Sequence, residues 1–178
     1  VTFKSYLDQS YKHLTPETNI AFQEVIGSDI MMALDVCVPS TSPYEMCVEA
    51  MHRTHRWAKR SLEAKRNEKN SIFGIVQGAI FENLRKESAD YITSLPFDGY
   101  AVGGLAVGES DEERDHFTTY TANLLPENKP RYLMGVGTPE DLIEAVNCGV
   151  DMFDCVLPTR SGRNARAYTD EGERNMMN

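Results

Sequence analysis

The sequence predicts an α/β fold built around a parallel sheet, and two observations lead to that prediction. First, five strand-like apolar runs alternate with helix-like segments, which is the order that a parallel sheet requires. Second, polar or glycine residues recur where these runs end: Asp35, Gln77, Gly103–Gly104, Gly135–Gly137 and Asp154. A (β/α)8 barrel presents its functional face at the carboxyl ends of its strands. The first strand is not followed by the GxGxxG turn of a dinucleotide-binding sheet, so we expect a fold of TIM-barrel type.

The individual elements follow from apolar periodicity and from capping residues. Helices are predicted at residues 16–26, 44–66, 81–95, 111–125 and 139–148. Strands are predicted at residues 29–35, 72–77, 99–102, 131–136 and 151–156. Thr15-Pro16 and Thr138-Pro139 each supply an N-cap threonine and a proline at the first helical position. Gly27 and Gly149 are placed to end the same two helices.

The chain is too short to complete such a barrel. It has 178 residues and about five β/α units, whereas a closed eight-stranded barrel usually needs ~250 residues. We therefore expect residues 1–178 to form the central part of a single barrel domain, with strands missing at both ends.

Composition narrows the class of protein. The chain is 41% hydrophobic, and none of its apolar runs approaches the ~20 residues that span a bilayer. The first residues lack the apolar core of a signal peptide, so a cytoplasmic protein without a membrane segment is expected. Its four cysteines have no CxxC spacing and are expected to be reduced thiols rather than disulfides or a zinc site. The four histidines show no ligand spacing and are expected at the surface or in packing.

The net charge of −9 argues against a polyanionic partner, but the distribution of charge is uneven. Residues 53–69 contain seven Lys or Arg against two Glu, and Arg160, Arg163 and Arg166 form a second basic group. The first run is either the solvated face of an amphipathic helix or a contact for an RNA backbone. In the helical interpretation the opposite, apolar stripe consists of Tyr44, Val48, Met51, Ala58 and Leu62.

The segment from Gly149 to Arg163 carries the clearest chemistry. An apolar run delivers the Asp154 carboxylate into a predicted loop that contains Arg160 and Arg163. A carboxylate followed by two guanidiniums suits attack on a substrate whose polyanionic backbone the arginines hold, so the pattern indicates an enzyme acting on nucleic acid. On residue physics alone, Asp154 could also be a helix or turn cap, and the glycine pair Gly103–Gly104 a tight turn.

Five segments, taken in order, resemble the tRNA-guanine transglycosylases. They read DIMMALD at 29–35, FGIVQG at 73–78, FDGYAVGGLAVGE at 97–109, YLMGVGTPED at 132–141 and DMFDCVLPTR at 151–160. The resemblance extends from residue 3 to about residue 168. It implies exchange of the guanine at the wobble position of GUN anticodons for a 7-deazaguanine, 7-aminomethyl-7-deazaguanine in bacterial enzymes. The exchange passes through a covalent Asp-ribosyl intermediate and belongs to queuosine biosynthesis.

The resemblance also implies roles for particular residues. Asp154 matches the nucleophile of the family. Asp35 matches the residue that accepts from the guanine ring nitrogen and amino group, Gln77 the one that donates to its carbonyl, and Gly104 lends a backbone amide. Leu105 and Met134 provide apolar faces for the base, and Cys37 lines the rim of the pocket. Cys37 and Val107 are the residue types of the bacterial enzymes.

Two further segments resemble the parts of the family that contact tRNA at the anticodon loop. The first comprises Gly135, Val136, Gly137, Thr138, Pro139, Glu140 and Asp141, and the second Thr159, Arg160, Ser161, Gly162 and Arg163. Exposed amides at a helix N-terminus can hold an anion, and arginines can donate to phosphates or base edges.

Other parts that the resemblance implies lie outside this chain. The acid/base aspartate lies upstream of Val1, and the zinc subdomain, with three cysteines and a histidine as ligands, lies beyond the C-terminus. No cofactor or metal is therefore expected within this chain, the fragment alone is expected to be inactive, and the full-length protein is expected to be a homodimer. The chain departs from the family at Ala79 and Ala165, where glycine is usual, and its residues 172–178 fit poorly.

Two alternatives from other classes stay open at this point. One is a non-catalytic, tRNA-binding partner subunit of such an enzyme. The other is an unrelated barrel enzyme that uses residues 135–141 to hold a small phosphate ester.

Overall fold

The computed structural model describes residues 1–177, so Asn178 lies outside the described residues. The helices are α1 (Pro16–Ile26), α2 (Tyr44–Ala64), α3 (Glu82–Thr93), α4 (Asp111–Ala122), α5 (Pro139–Asn147) and α6 (Leu157–Arg163). The strands are β1 (Thr2–Lys4), β2 (Tyr11–His13), β3 (Ile30–Met32), β4 (Ser71–Val76), β5 (Gly99–Val102), β6 (Arg131–Leu133), β7 (Met152–Phe153), β8 (Arg166–Thr169) and β9 (Gly172–Asn175).

The predicted parallel sheet is confirmed. Strands β3 to β7 form one five-stranded sheet in sequential order, and each neighbouring pair is parallel. Helices α2, α3, α4 and α5 connect successive strands. The strand order never reverses, as it would in a doubly wound sheet, so the chain forms an incomplete barrel of TIM type. The assignment of residues 1–178 to one domain stays a prediction.

The capping residues act as the sequence predicts. Thr15 and Thr138 each accept a hydrogen bond from the amide three residues on, and a proline occupies the first turn of both helices. Gly27 ends α1 in the left-handed conformation, with a φ of 81°. Gly149 follows α5 with a φ of 85°.

The first strand is shorter than predicted, because its backbone leaves the sheet early. After Met32 the amides of Leu34 and Val36 donate to the Ser61 and Thr54 hydroxyls of α2, at 3.3 and 2.9 Å. The strand prediction 29–35 therefore reduces to 30–32. Asp35 is left on an irregular segment that turns across the carboxyl edge of the sheet.

The same two hydroxyls change which face of α2 is buried. Met51 and Ala58 are buried as predicted, but the buried face also includes Thr54, His55 and Ser61, while Tyr44 is exposed. The predicted apolar stripe was thus partly wrong. Arg53, Arg56 and Arg60 are exposed.

The segment after Asp154 was predicted to be a loop, and that prediction was wrong. It forms helix α6, with Pro158 in its first turn and Arg160 and Arg163 in its last. Proline is favoured in the first turn of a helix and basic side chains near its C-terminus, which accounts for the helix. Residues 172–175, which were expected to fit the family poorly, form β9 and pair antiparallel with β8.

No helix among residues 1–177 is both long enough and apolar enough to cross a membrane.

Candidate functional site

An open cleft of about 310 Å³ lies at the carboxyl ends of the parallel strands. Its walls contain all seven residues predicted for base binding and nucleophilic attack, and they add Gly103, Tyr132 and Gly135. The full lining is Asp35, Cys37, Gln77, Gly103, Gly104, Leu105, Tyr132, Met134, Gly135 and Asp154. A cleft of this size falls at the lower end of the range for small-molecule sites, about 300–1,000 Å³.

One side of the cleft, here called the inner wall, consists of Asp35, Gln77, Gly103 and Gly104. Gln77 is only 3% exposed, and its Nε2 donates to Asp35 Oδ2 at 2.6 Å. Burial raises the pKa of Asp35, while the hydrogen bond from Gln77 opposes that rise. The inner wall thus places a desolvated carboxyl acceptor beside a fixed carboxamide.

The two glycines of the inner wall allow the backbone to approach Gln77 closely. A Cβ at Gly103 would lie 2.8 Å from Gln77 Nε2 and 2.6 Å from Ile75 Cγ2. Gly104 has a φ of 68°, a conformation that other residues adopt at a cost. A side chain at either glycine would displace the Gln77 carboxamide. The tight turn at Gly103–Gly104 therefore also forms part of the cleft wall.

Gln77 is itself held from behind by α3 and α2. Its backbone amide donates to the Ser88 hydroxyl at 3.1 Å, and Ser88 contacts His55 Nε2 at 3.2 Å. Burial lowers the pKa of His55 to about 4, so its imidazole is neutral at pH 7 and can accept from Ser88. His55 also stacks on Tyr91, with ring centroids 4.3 Å apart.

The opposite side, here called the edge wall, consists of Tyr132, Gly135 and Asp154. Asp154 Oδ1 accepts from the Tyr132 hydroxyl at 2.5 Å and from the Gly135 amide at 2.8 Å. Within the described chain Oδ2 has no hydrogen-bond donor. Burial, followed by the bond to Asp154, raises the pKa of Tyr132, so the hydroxyl stays protonated and keeps donating. One carboxylate oxygen is therefore fixed while the other is free to react.

Tyr132 was not among the predicted site residues, although a signal for it was present. Tyr132 lies in β6, and Met134 is the first residue after that strand. The two are two positions apart, and residues i and i+2 of an extended segment share a face. The prediction of Met134 as a pocket residue therefore also pointed to Tyr132.

The predicted tRNA-contact segment at 135–141 is split between surface and interior. Gly135, Pro139 and Glu140 are exposed, whereas Val136 and Gly137 are buried and Thr138 is half-buried. Both Asp141 oxygens are engaged: Oδ2 accepts from the Thr138 amide at 3.1 Å and Oδ1 from Arg114 Nη2 at 2.6 Å. Its side chain is 10% exposed, so Asp141 caps α5 and joins it to α4.

The second predicted contact segment lies on α6, directly after the nucleophile candidate. Thr159, Arg160, Gly162 and Arg163 are exposed and Ser161 is buried. A groove of about 460 Å³ runs between α6 and the β8–β9 hairpin, with Arg160, Arg166 and Tyr168 among its lining residues. Helix α6 therefore displays its arginines on a surface next to the cleft.

The described residues offer no site for the zinc that the resemblance implies. Nowhere in residues 1–177 do three Cys, His, Asp or Glu side chains converge into a group that could hold a metal ion.

Comparison with known proteins gives a consistent result. A family model described as queuine tRNA-ribosyltransferase matches residues 1–178. A queuine tRNA-ribosyltransferase of Zymomonas mobilis is 51% identical over 183 aligned residues, covering 100% of this chain and 47% of that protein. One of Streptococcus gordonii is 54% identical over 173 residues, covering 97% and 46% respectively. One of Dehalococcoides mccartyi is 49% identical over 178 residues, covering 100% and 45%. The chain thus spans about half the length of the curated relatives it matches.

Proposed function

Because the chain belongs to the queuine tRNA-ribosyltransferase family, we propose that the full-length protein containing it is a tRNA-guanine transglycosylase. It exchanges guanine at the wobble position of GUN anticodons for 7-aminomethyl-7-deazaguanine, as a step in queuosine biosynthesis. One observation carries the proposal: a single cleft joins a carboxyl and carboxamide pair suited to guanine with a carboxylate that has one free oxygen.

The inner wall is suited to the polar edge of guanine. Asp35 accepts from the ring N–H and the amino group, while Gln77 and the Gly104 amide donate to the carbonyl oxygen. Enzymes that act on a base take it out of the stack and identify it by such hydrogen bonds. Leu105 and Met134 supply the apolar faces, and Cys37, which is exposed, lies at the rim.

The edge wall performs the covalent step. Asp154 Oδ2 attacks the anomeric carbon of the target nucleotide, the bond from that carbon to the base nitrogen breaks, and its electron pair leaves with guanine. This produces a ribosyl ester on Asp154. The departing guanine takes a proton from an acid/base group outside this chain. The incoming 7-deazaguanine loses a proton, attacks the same carbon and releases Asp154 as a carboxylate.

The tRNA itself is held around this cleft. Arg160 and Arg163 on α6 donate to phosphates or bases of the anticodon loop, and the exposed part of the 135–141 segment borders the target nucleotide. The exposed basic face of α2 is less suited to the RNA backbone near the cleft, because Arg60 is already paired with Glu17 at 2.7 Å.

The decisive experiment measures incorporation of radiolabelled guanine into unmodified tRNA with a GUN anticodon. A full-length protein containing this chain and the 178-residue chain alone are assayed in parallel. We expect incorporation by the full-length protein and none by the chain alone, because the acid/base group lies elsewhere. A full-length protein that binds the tRNA but incorporates no guanine would instead favour the non-catalytic partner subunit.

A further inference from the structure

Arg85 on α3 is completely buried, yet it has no acidic partner. Its exposed fraction is 0%, and no carboxylate of residues 1–177 lies within ion-pair distance of its guanidinium. Burial lowers the pKa of Arg85 to about 10, although the Glu109 carboxylate acts in the opposite direction from beyond ion-pair distance, so Arg85 still carries its charge at neutral pH. A buried charge without a counter-ion in contact is strongly unfavourable unless hydrogen bonds replace the lost water.

Backbone carbonyls supply those hydrogen bonds. Arg85 Nε donates to the Ala79 carbonyl at 2.7 Å, and Nη1 and Nη2 both donate to the Gly103 carbonyl at 3.1 Å. Nη2 also donates to the Gly104 carbonyl at 3.3 Å, and the Phe117 ring lies 5.8 Å from the guanidinium carbon. One side chain thus joins the loop after β4, which carries Gln77, to the loop after β5, which carries Gly104.

These bonds also set the direction of two amides. Every peptide bond in the described chain is trans, so the N–H of each peptide unit points away from its own carbonyl. The Gly103 and Gly104 carbonyls both face Arg85, and therefore the Gly104 and Leu105 amides point away from it. Both residues line the cleft, and neither amide has an acceptor within residues 1–177. Buried amides are nearly always paired, so this pair is suited to an acceptor on a ligand.

We propose that Arg85 is a positioning residue that clamps the Gly103 and Gly104 carbonyls and so aims the Gly104 and Leu105 amides at the carbonyl oxygen of the bound base. The inference rests on the proposed function, since it assumes a base in the cleft. A lysine could not replace the arginine, because its single ammonium lacks the planar fork that reaches two loops at once.

The test compares two ligands in a full-length enzyme containing this chain. Guanine has the carbonyl oxygen, whereas 2-aminopurine has a hydrogen in its place and also lacks the ring N–H from which Asp35 accepts, so each ligand is compared with itself across the variants. Affinities for both are measured by isothermal titration calorimetry in the wild type, in Arg85→Lys and in the control Thr121→Val. Thr121 contacts the same guanidinium at 3.5 Å but belongs to neither loop.

We expect Arg85→Lys to weaken guanine binding roughly tenfold and 2-aminopurine binding by less than about twofold, since only guanine has the acceptor. The KM for tRNA should not change, and Thr121→Val should leave both affinities as they are. A reduced melting temperature with an unchanged ratio of the two affinities would make Arg85 merely structural and overturn the proposal. A wild type that binds no guanine would count against the proposed function itself, and the positioning role would fall with it.

A second measurement avoids substitution altogether, in case the lysine variant does not fold. Gly103–Gly104 is the only adjacent glycine pair in these 178 residues. When glycine is labelled with ¹³C at the carbonyl and with ¹⁵N, a one-bond carbonyl–nitrogen coupling across a peptide bond arises only between two consecutive glycines. Within this chain, that coupling therefore identifies the Gly104 amide alone. We expect guanine to shift this resonance strongly and 2-aminopurine to shift it weakly. An amide resonance that responds equally to both ligands would overturn the proposal.

Discussion

The two walls of the cleft are built in opposite ways. In the inner wall, Gln77 and Gly103–Gly104 follow β4 and β5, which lie inside the sheet, and Gln77 is almost completely buried. Asp35 follows β3, at the opposite edge of the described sheet from β7. The edge wall carries Asp154 just after β7, a two-residue strand at the edge of the described sheet, and Asp154 is exposed. Burial is the main cause of the raised pKa of Asp35. Asp154 is instead held in place by two hydrogen bonds to one of its carboxylate oxygens.

Under the proposed function, this difference separates base binding and covalent chemistry into two different environments. A base is identified by groups that have lost their water and can pair only with the correct ligand. A nucleophile needs an oriented carboxylate with an accessible oxygen.

The largest effect is expected at the edge wall. In the full-length enzyme, Asp154→Asn should abolish the covalent enzyme–tRNA adduct and lower guanine exchange at least ~10³-fold, because an amide is a poor nucleophile. The adduct is measured on denaturing gels after incubation with tRNA. Asp170→Asn, in the exposed turn of the β8–β9 hairpin, is the matched control and should leave the adduct intact. An adduct that persists in the Asp154 variant would remove this residue from the mechanism.

At the inner wall, activity and stability should change in opposite directions. Asp35→Asn should raise the KM for guanine about 100-fold, because a charged acceptor is lost from a partly buried site. The same variant should melt at a higher temperature than the wild type at pH 7, because it removes a partly buried ionisable group whose charged form is disfavoured by desolvation.

The pH dependence of that stabilisation has a defined sign. Burial raises the pKa of Asp35 in the folded protein, so the folded state binds the proton more tightly than the unfolded chain does. Its contribution to stability is therefore complete at low pH and is lost as the pH rises above the ordinary value of 3.8. The melting-temperature advantage of Asp35→Asn should shrink as the pH falls toward that value. An advantage that does not depend on pH would show that burial of the charge is not its cause.

A smaller effect is expected from Tyr132, which orients the proposed nucleophile. Tyr132→Phe removes the 2.5 Å hydrogen bond but leaves the Gly135 amide on the same oxygen. Single-turnover adduct formation should slow about tenfold, as expected for loss of one positioned donor. The KM for guanine should be unchanged, and Tyr120→Phe serves as the control. A change in guanine KM with an unchanged rate would assign Tyr132 to base binding instead.

The inner wall could be predicted from the sequence more completely than the edge wall. Asp35, Gln77 and Gly104 each follow a recognisable strand-like run, and the carboxyl ends of parallel strands meet at one edge of the sheet. The edge wall depends on a contact between Tyr132 and Asp154, 22 positions apart, which no local pattern encodes. Helix α6 was missed because it has only seven residues, too short for apolar periodicity to reveal.

Tertiary contacts also explain the other differences between the sequence-based predictions and the structure. The early end of β3 and the rotated buried face of α2 share one cause, the hydrogen bonds from Leu34 and Val36 to Ser61 and Thr54. Arg85 was not singled out by the sequence, because an arginine on an amphipathic helix is ordinarily a surface residue. Only the carbonyls that converge on it show that it is part of the core.

The smallest effects concern Ala79 and Ala165, the two positions where the resemblance led us to expect glycine. Ala79, beneath the inner wall, has a φ of 48°, and Ala165, beyond α6, has a φ of 52°. An L-residue in this left-handed region is strained, and glycine relieves the strain. Ala165→Gly in the full-length protein should therefore raise the free energy of unfolding by about 1 kcal/mol.

Ala79→Gly should stabilise much less, although the backbone strain is the same. Ala79 is 2% exposed and packs with Cys47, Met51 and Leu84, so glycine also removes a buried methyl group worth about 0.8 kcal/mol. Ala167→Gly, in the regular strand β8, is the control and should destabilise by about 0.5–1 kcal/mol. Urea unfolding of the three variants measures the differences. Equal stabilisation at positions 79 and 165 would show that the Ala79 methyl group contributes nothing to packing beneath the inner wall. The contrast between the buried inner wall and the exposed edge wall would then not include the loop after β4, which contains Ala79.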